Sequence, residues 1–197
     1  MDQMTQERLE RRAAMAILLA DRGDDLLVVP GLGSTTWDLA ALGDDDLNFY
    51  LWGAMGGAAM IGLGLALAQP DKRVAVITGD GEMLMGMGAL ATIGIQRPGN
   101  LAIVVFDNGV YGETGMQPSH TQSGVDLGSV AAACGFATCL EVRDEAGLRD
   151  LAGCLNTLRE TLFARVLIAA EEPPRVLPER DGIALKDRFR AAIGVKP

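Results

Sequence analysis

At 197 residues the chain has room for one domain with a full core. A net charge of −9 argues against nucleic acid or an anionic membrane surface as its partner. Hydrophobic residues make up 49%, yet no apolar stretch reads as a membrane-spanning helix.

In chain order, the N-terminus is polar and charged through Arg8 and does not read as a signal peptide. Leu9, Ala13, Ala16, Ile17 and Ala20 recur at helical spacing and predict a helix over residues 5–20. Residues 26–29 form a short apolar strand ended by Pro30-Gly31. Residues 31–36 form a small-residue loop and 37–42 a short helix. Asp44, Asp45 and Asp46 are consecutive, so no common face collects them, and a solvated loop is expected. Residues 55–69 predict a helix rich in Gly and Ala, of the kind that lets a sheet or a partner subunit approach closely.

The β-branched run 73–78 is a strand, 82–96 a helix and 100–107 a second strand. Residues 108–125 form a polar loop of a length that is usually functional. Asp126 caps a helix reaching Cys134, and Gly135 ends it. A strand over 136–142, a helix over 144–160 and a strand over 163–170 follow. Pro173, Pro174 and Pro178 then mark a tail, 172–197, on an otherwise single domain. Strands alternating with helices give an α/β fold, a three-layer α/β/α domain around a mostly parallel sheet. Cys134, Cys139 and Cys154 lack metal-ligand spacing and leave an odd cysteine, as in a reduced cytoplasm; Cys134 is expected in the core.

Two of these strands end in chemistry. The first runs into Gly79-Asp80-Gly81, the second into Asp107-Asn108-Gly109, and a helical crossover joins them. Parallel strands therefore deliver Asp80 and Asn108 to one edge of the sheet, where open α/β sheets bind ligands. Carboxylate and amide oxygens suit a hard divalent cation, and a glycine turn at a helix start admits phosphate. A Mg²⁺-bridged diphosphate matches both.

The pattern resembles the thiamine diphosphate motif, a Gly-Asp-Gly turn followed by an Asn-containing turn, here with 26 residues between Gly81 and Asn108. Upstream, Gly53-Ala54-Met55-Gly56-Gly57 stands where that family places its cofactor wedge. The run from Asp107 through Gly112-Glu113-Thr114-Gly115-Met116 to Gln117-Pro118 is similar to phosphonopyruvate and sulfopyruvate decarboxylases. The likeness extends over about residues 5–170.

The resemblance implies roles residue by residue. Asp80 and Asn108 are Mg²⁺ ligands, and the backbone carbonyl of Val110 is the third. Met55 is the wedge that holds the cofactor folded, and Gly53 offers its carbonyl to the 4′-amino group. Ser34, Thr35 and Thr36 resemble the hydroxyl-rich diphosphate loop. Gly79, Gly81, Glu82 and Met83 belong to the cofactor turn, with the N–H groups of Gly81, Glu82 and Met83 facing the ligand. The Glu82 side chain, which replaces a small hydroxyl of one common family pattern, is expected to turn outward. Tyr111 and Thr114 lie over the diphosphate or at the substrate mouth. His120, the one histidine, lies within reach of the site in the long loop.

The resemblance also implies a missing half. The family's activating Glu comes from a pyrimidine-binding unit, for which this chain shows no second segment. The expected assembly is a hetero-oligomer with a separate α chain, α2β2 or larger, decarboxylating a small 2-oxo acid to an aldehyde and CO₂. An extra anion on the substrate calls for a cation, but residues 23–71 and 98–142, which hold every proposed loop, contain no Lys or Arg. Either the partner provides the cations or the substrate is apolar at that end, as Trp37, Trp52 and the Met83, Met85, Met87 stripe would suit, although core packing is the expected role of that stripe. Carboligation shares all these residues, and a non-catalytic thiamine diphosphate-binding subunit is a further alternative. A nicotinamide domain fails because Gly31-Leu32-Gly33-Ser34-Thr35-Thr36 stops one glycine short of that fingerprint.

Overall fold

The computed structural model describes residues 8–195. In chain order the elements are α1 (Arg11–Leu19), β1 (Leu26–Pro30), α2 (Ser34–Ala41), α3 (Ala58–Ala68), β2 (Arg73–Gly79), α4 (Asp80–Met85), α5 (Gly88–Gln96) and β3 (Leu101–Asp107). The two-residue strands β4 (Val110–Tyr111) and β5 (Gln117–Pro118) pair as a small antiparallel hairpin. Then come α6 (Leu127–Ala133), β6 (Thr138–Val142), α7 (Glu145–Asn156), β7 (Leu162–Leu167) and α8 (Gly182–Ala192).

The main sheet is all parallel, in the order β1-β2-β3-β7-β6. Its strands are rich in Val and Ile and buried on both faces, as a sheet covered by crossover helices requires. Alternation assigns the faces. Leu26, Val28, Ala75, Ile77, Ala102 and Val104 pack with α1, α2 and α7 on one side. Leu27, Val29, Val74, Val76, Ile103 and Val105 pack with α3, α5 and α6 on the other. Three layers therefore result, with β3 entirely buried at the centre. Among the described residues no helix is long and apolar enough to cross a membrane.

Several boundaries differ from the sequence expectation, each for a local reason. The first helix starts at Arg11, because the Glu10 carboxylate caps it by accepting from the N–H groups of Arg12 and Ala13. Leu9 bridges Ile168 instead of continuing the helix, and residues 5–7 of the expected helix lie outside the described residues. The helix expected over 55–69 starts at Ala58, because Ala54 and Gly56 take positive φ angles of 60° and 86°. The helix expected over 82–96 is two helices, parted at Gly86. The segment 172–197, expected as a tail, is irregular to Asp181 and then forms α8, whose Leu185 and Phe189 are buried. Phe189 stacks on Phe49 with ring centroids 5.0 Å apart. The three aspartates stand exposed in a loop, as expected, where Arg188 pairs with Asp44 and Asp46, and Arg22 with Asp45. Cys134 is only partly buried, packed against the second core, and the three cysteines are free thiols.

Candidate active site at the carboxyl ends of the strands

The carboxyl ends of β1, β2, β3 and β7 open into one cleft. Asp80, Gly81, Asn108, Val110 and Tyr111 line it, together with Leu32, Ser34 and Met55. The expected metal residues are thus collected around a single space. The strand-helix-strand connection does this: β2 and β3 are neighbours in register, with Gly79 beside Phe106, so the next residues emerge together.

Asp80 is 2% exposed, and hydroxyls hold its carboxylate in place. Oδ2 accepts from Ser119 Oγ and from Thr121 Oγ1, the latter at 3.2 Å. Thr121 Oγ1 also donates to Asp107 Oδ1 at 2.8 Å, and Arg165 Nε pairs with Asp107 Oδ2 at 2.6 Å. Burial pushes the Asp80 carboxyl above its usual range; Ser119 and Thr121 oppose this, and the neighbouring Asp107 charge adds to it. A cation in the cleft would favour the ionised form. Asn108 Oδ1 accepts from the Val110 N–H at 2.9 Å, an Asx turn, and both residues line the cleft. Sequence reasoning missed Ser119, Thr121 and Arg165. The first two sit in the Ser119-His120-Thr121 stretch where attention fell on the histidine.

Glu82 overturns its expectation. Its side chain turns inward and is 4% exposed. Oε2 accepts from the Leu32 N–H at 2.8 Å and from Thr78 Oγ1 at 3.0 Å, and Oε1 from the Gly56 N–H at 3.2 Å. Burial raises its pKa, opposed first by the Thr78 hydroxyl and then by these N–H groups. Met83 is buried at 1% in the second core, so its side chain packs rather than binds. Of the Met83, Met85, Met87 stripe only Met83 packs the core, while Met85 and Met87 are exposed.

The hydroxyl loop is also different. Ser34, Thr35 and Thr36 form the first turn of α2, where the Thr35 and Thr36 hydroxyls donate to the Gly31 carbonyl at 3.1 and 2.7 Å. The protons of those two hydroxyls are used within the protein, yet Thr35 lines the cleft together with Ser34. Met55 lines the cleft at 46% exposure, while Gly53 lies beside it on the exposed turn. Tyr111 lines the cleft and hydrogen-bonds through its hydroxyl to His120 Nδ1 at 2.9 Å, with the rings edge to face. His120 therefore stands one residue behind the lining. Thr114 also reaches the cleft.

Cations approach the site from outside its loops. Arg11, from the start of α1, reaches the cleft while paired with Asp38, Nε to Oδ2 at 2.9 Å. That pair is too bent for a hydrogen bond, so charge holds it. Arg8 donates to the backbone carbonyls of Asn108 and Ile168. Arg175, beyond the last strand, lies over the Trp37 ring at 4.3 Å and pairs with Glu113 at 3.4 Å. No local pattern links residues 8–11 or 175 to residue 108; only the parallel strands and the returning chain do.

The residues fit a divalent cation carrying a diphosphate. A carboxylate, an amide oxygen and a backbone carbonyl are hard oxygen donors, and all three residues line one cleft. Gly81 keeps the turn open: a Cβ there would come 2.7 Å from the Tyr111 ring.

The model of the family described as thiamine pyrophosphate enzyme, C-terminal TPP binding domain, matches residues 33–162. The chain is 40% identical to the phosphonopyruvate decarboxylase of Streptomyces viridochromogenes over 96% of its own length and 48% of that protein's. It is 37% identical to the sulfopyruvate decarboxylase subunit beta of Methanocaldococcus jannaschii over 87% of this chain and 90% of that subunit. It thus spans about half of the first relative and nearly all of the second. The solved benzoylformate decarboxylase of Polynucleobacter necessarius shares the fold, with a TM-score of 0.71 at 20% identity, covering 88% of this chain and 36% of that one.

Proposed function

Because this chain belongs to the thiamine pyrophosphate enzyme family that carries the C-terminal TPP binding domain, we propose that it is the diphosphate-binding β-type subunit of a Mg²⁺-dependent, non-oxidative 2-oxo acid decarboxylase. In this reading it works in the cytoplasm on a substrate of the sulfopyruvate or phosphonopyruvate kind. The pyrimidine-binding unit and its activating Glu reside on a separate α chain, in an α2β2 or larger assembly. The observation that carries the reading is the convergence of Asp80, Asn108, Val110 and Met55 on one cleft at the strand ends.

Asp80, the Asn108 amide and the Val110 carbonyl would hold Mg²⁺, with Ser34 and the turn at Gly79 and Gly81 beside the diphosphate. When bound, thiamine diphosphate supplies the electron sink for the pair released as CO₂ leaves a 2-oxo acid. The protein orients and dries the reacting end. Met55 would pack against the cofactor ring, its flexible thioether able to adapt to it. Gly53, two residues before it, would offer its carbonyl to the cofactor's amino group. Tyr111, held by His120, narrows the mouth against water. The exposed apolar rim of Trp52, Met55 and Met85 suits cover by a partner chain.

Native mass spectrometry of the chain, alone and with a pyrimidine-binding partner, tests the reading in the presence of thiamine diphosphate and Mg²⁺. The expected result is cofactor retained in a mixed oligomer that releases CO₂ from sulfopyruvate or phosphonopyruvate. Strong decarboxylation by the chain alone would overturn the split assembly. Loss of the cofactor from every sample would overturn the site.

A further inference from the structure

Glu82 presents a question that metal and cofactor binding leave open. It is a buried carboxylate in a protein of net charge −9, and the donors that hold it, backbone N–H groups and one hydroxyl, are neutral. Burying such a group is costly, and an apolar side chain would fill the space more cheaply, as Met83 does next to it.

What the carboxylate does is join chain segments that sequence keeps apart. One oxygen takes Leu32, in the turn between β1 and α2, and Thr78, near the end of β2. The other takes Gly56, in the turn that carries Met55, and the Ala58 N–H is also directed at the group. Among the described residues, the other backbone bonds of the 53–57 turn, Gly57 N–H to the Ala54 carbonyl and Ile61 N–H to the Gly57 carbonyl, stay within the turn and the helix that follows it. Two glycines confirm a fitted arrangement. A Cβ at Gly31 would overlap Glu82 Oε2, and a Cβ at Gly86 would overlap the Gly56 carbonyl oxygen. The turn is thus seated on α4 at both ends, by Glu82 at one and by the break at Gly86 at the other.

Resting on the cofactor reading above, we propose that Glu82 is a positioning residue that sets the Met55 turn at a fixed distance from the β1–α2 turn, so that one buried carboxylate spaces the two sides of the cofactor's bed. Glu82→Gln keeps the volume but puts an NH₂ donor where an oxygen accepted. Thr78 can rotate its hydroxyl to meet that donor; a backbone N–H cannot. One of the two turns is released.

Amide-resolved hydrogen exchange on the full chain without cofactor reads this directly. In the wild type, the Gly56 and Leu32 amides should exchange about tenfold or more below their intrinsic rates. In Glu82→Gln, one of the two should return toward its intrinsic rate while β2 and β3 amides keep their protection. In the active complex, Glu82→Gln should lower kcat about tenfold with cofactor affinity changed less than about threefold, and should add little to Met55→Ala. Should Glu82→Gln fail to fold, Gly86→Ala displaces the same turn from the other side and should lower kcat while Leu32 stays protected. A wild-type Gly56 amide exchanging at its intrinsic rate would overturn the proposal. Uniform loss of protection across β2 and β3 in Glu82→Gln would overturn it too, by assigning Glu82 to packing. A wild type that binds no thiamine diphosphate would instead sink the cofactor reading, with the exchange comparison still deciding the role of Glu82.

Discussion

The wall of the cleft that carries Asp80 and Asn108 is buried and tied into the sheet, while the wall that carries Met55 is a half-exposed turn. On the first, Ser119, Thr121, Asp107 and Arg165 form a continuous set of hydrogen bonds and an ion pair behind Asp80. On the second, a residue 46% exposed follows Ala54, which holds a left-handed φ of 60°, and the turn is seated through Glu82 and Gly86. The difference follows from what each wall has to hold. Charge must be met by groups already in place, since reorganising dipoles at the moment of binding costs the interaction its strength. An apolar contact needs only bulk at the right height, so it tolerates an exposed turn, provided something outside the chain covers it.

This comparison can be broken most severely at Asp80. Asp80→Ala should weaken Mg²⁺-dependent thiamine diphosphate binding by about 100-fold or more, with the far-ultraviolet circular dichroism unchanged. Titration calorimetry with and without a chelator would show it, and unchanged affinity would remove the metal site. Asp107→Asn strikes the support instead of the ligand. It places an NH₂ against Arg165 and leaves that cation without its buried partner, so stability should fall by about 2–3 kcal/mol. Urea denaturation measures this loss, and cofactor affinity should fall less than in Asp80→Ala.

On the Met55 turn, Met55→Ala should leave cofactor affinity within about threefold and lower kcat about tenfold, the signature of a group that shapes rather than binds. Equal turnover would remove Met55 from the proposed mechanism. The smallest effect is expected at Ala54→Gly. Glycine adopts the observed φ without steric strain, so stability should rise by about 0.5–1 kcal/mol, read as a shift of the thermal midpoint. A loss of stability there would mean that the turn is not strained.

The two walls were also unequally legible before the structure. Asp80 and Asn108 could be read because each follows a β-branched run and adjoins a glycine, so local chemistry alone marks a strand end. Met55 was placed by family likeness, but its helix was begun too early, since nothing in Met55-Gly56-Gly57 announces a positive φ. Glu82 was read outward because a carboxylate beside a diphosphate should be repelled. That reasoning was sound for a residue facing the cleft, but Glu82 faces the Leu32 and Gly56 amides behind it. Arg11, and Arg175 through its pairing with Glu113, were invisible because they approach through contacts of long sequence separation, which no periodicity records.

By itself, then, the sequence determined the order of strands and helices, the parallel sheet and the two strand ends that face a ligand. Those features depend on hydrophobic period, β-branching and turn residues within a few positions of one another. The tertiary structure decided which donors hold each carboxylate, which arginines reach the cleft, where the 82–96 helix breaks and how the residues after Pro178 return as α8 onto Phe49. Those depend on groups brought together only when the sheet closes its layers, and burial then sets whether a charge turns toward solvent or inward to backbone N–H groups.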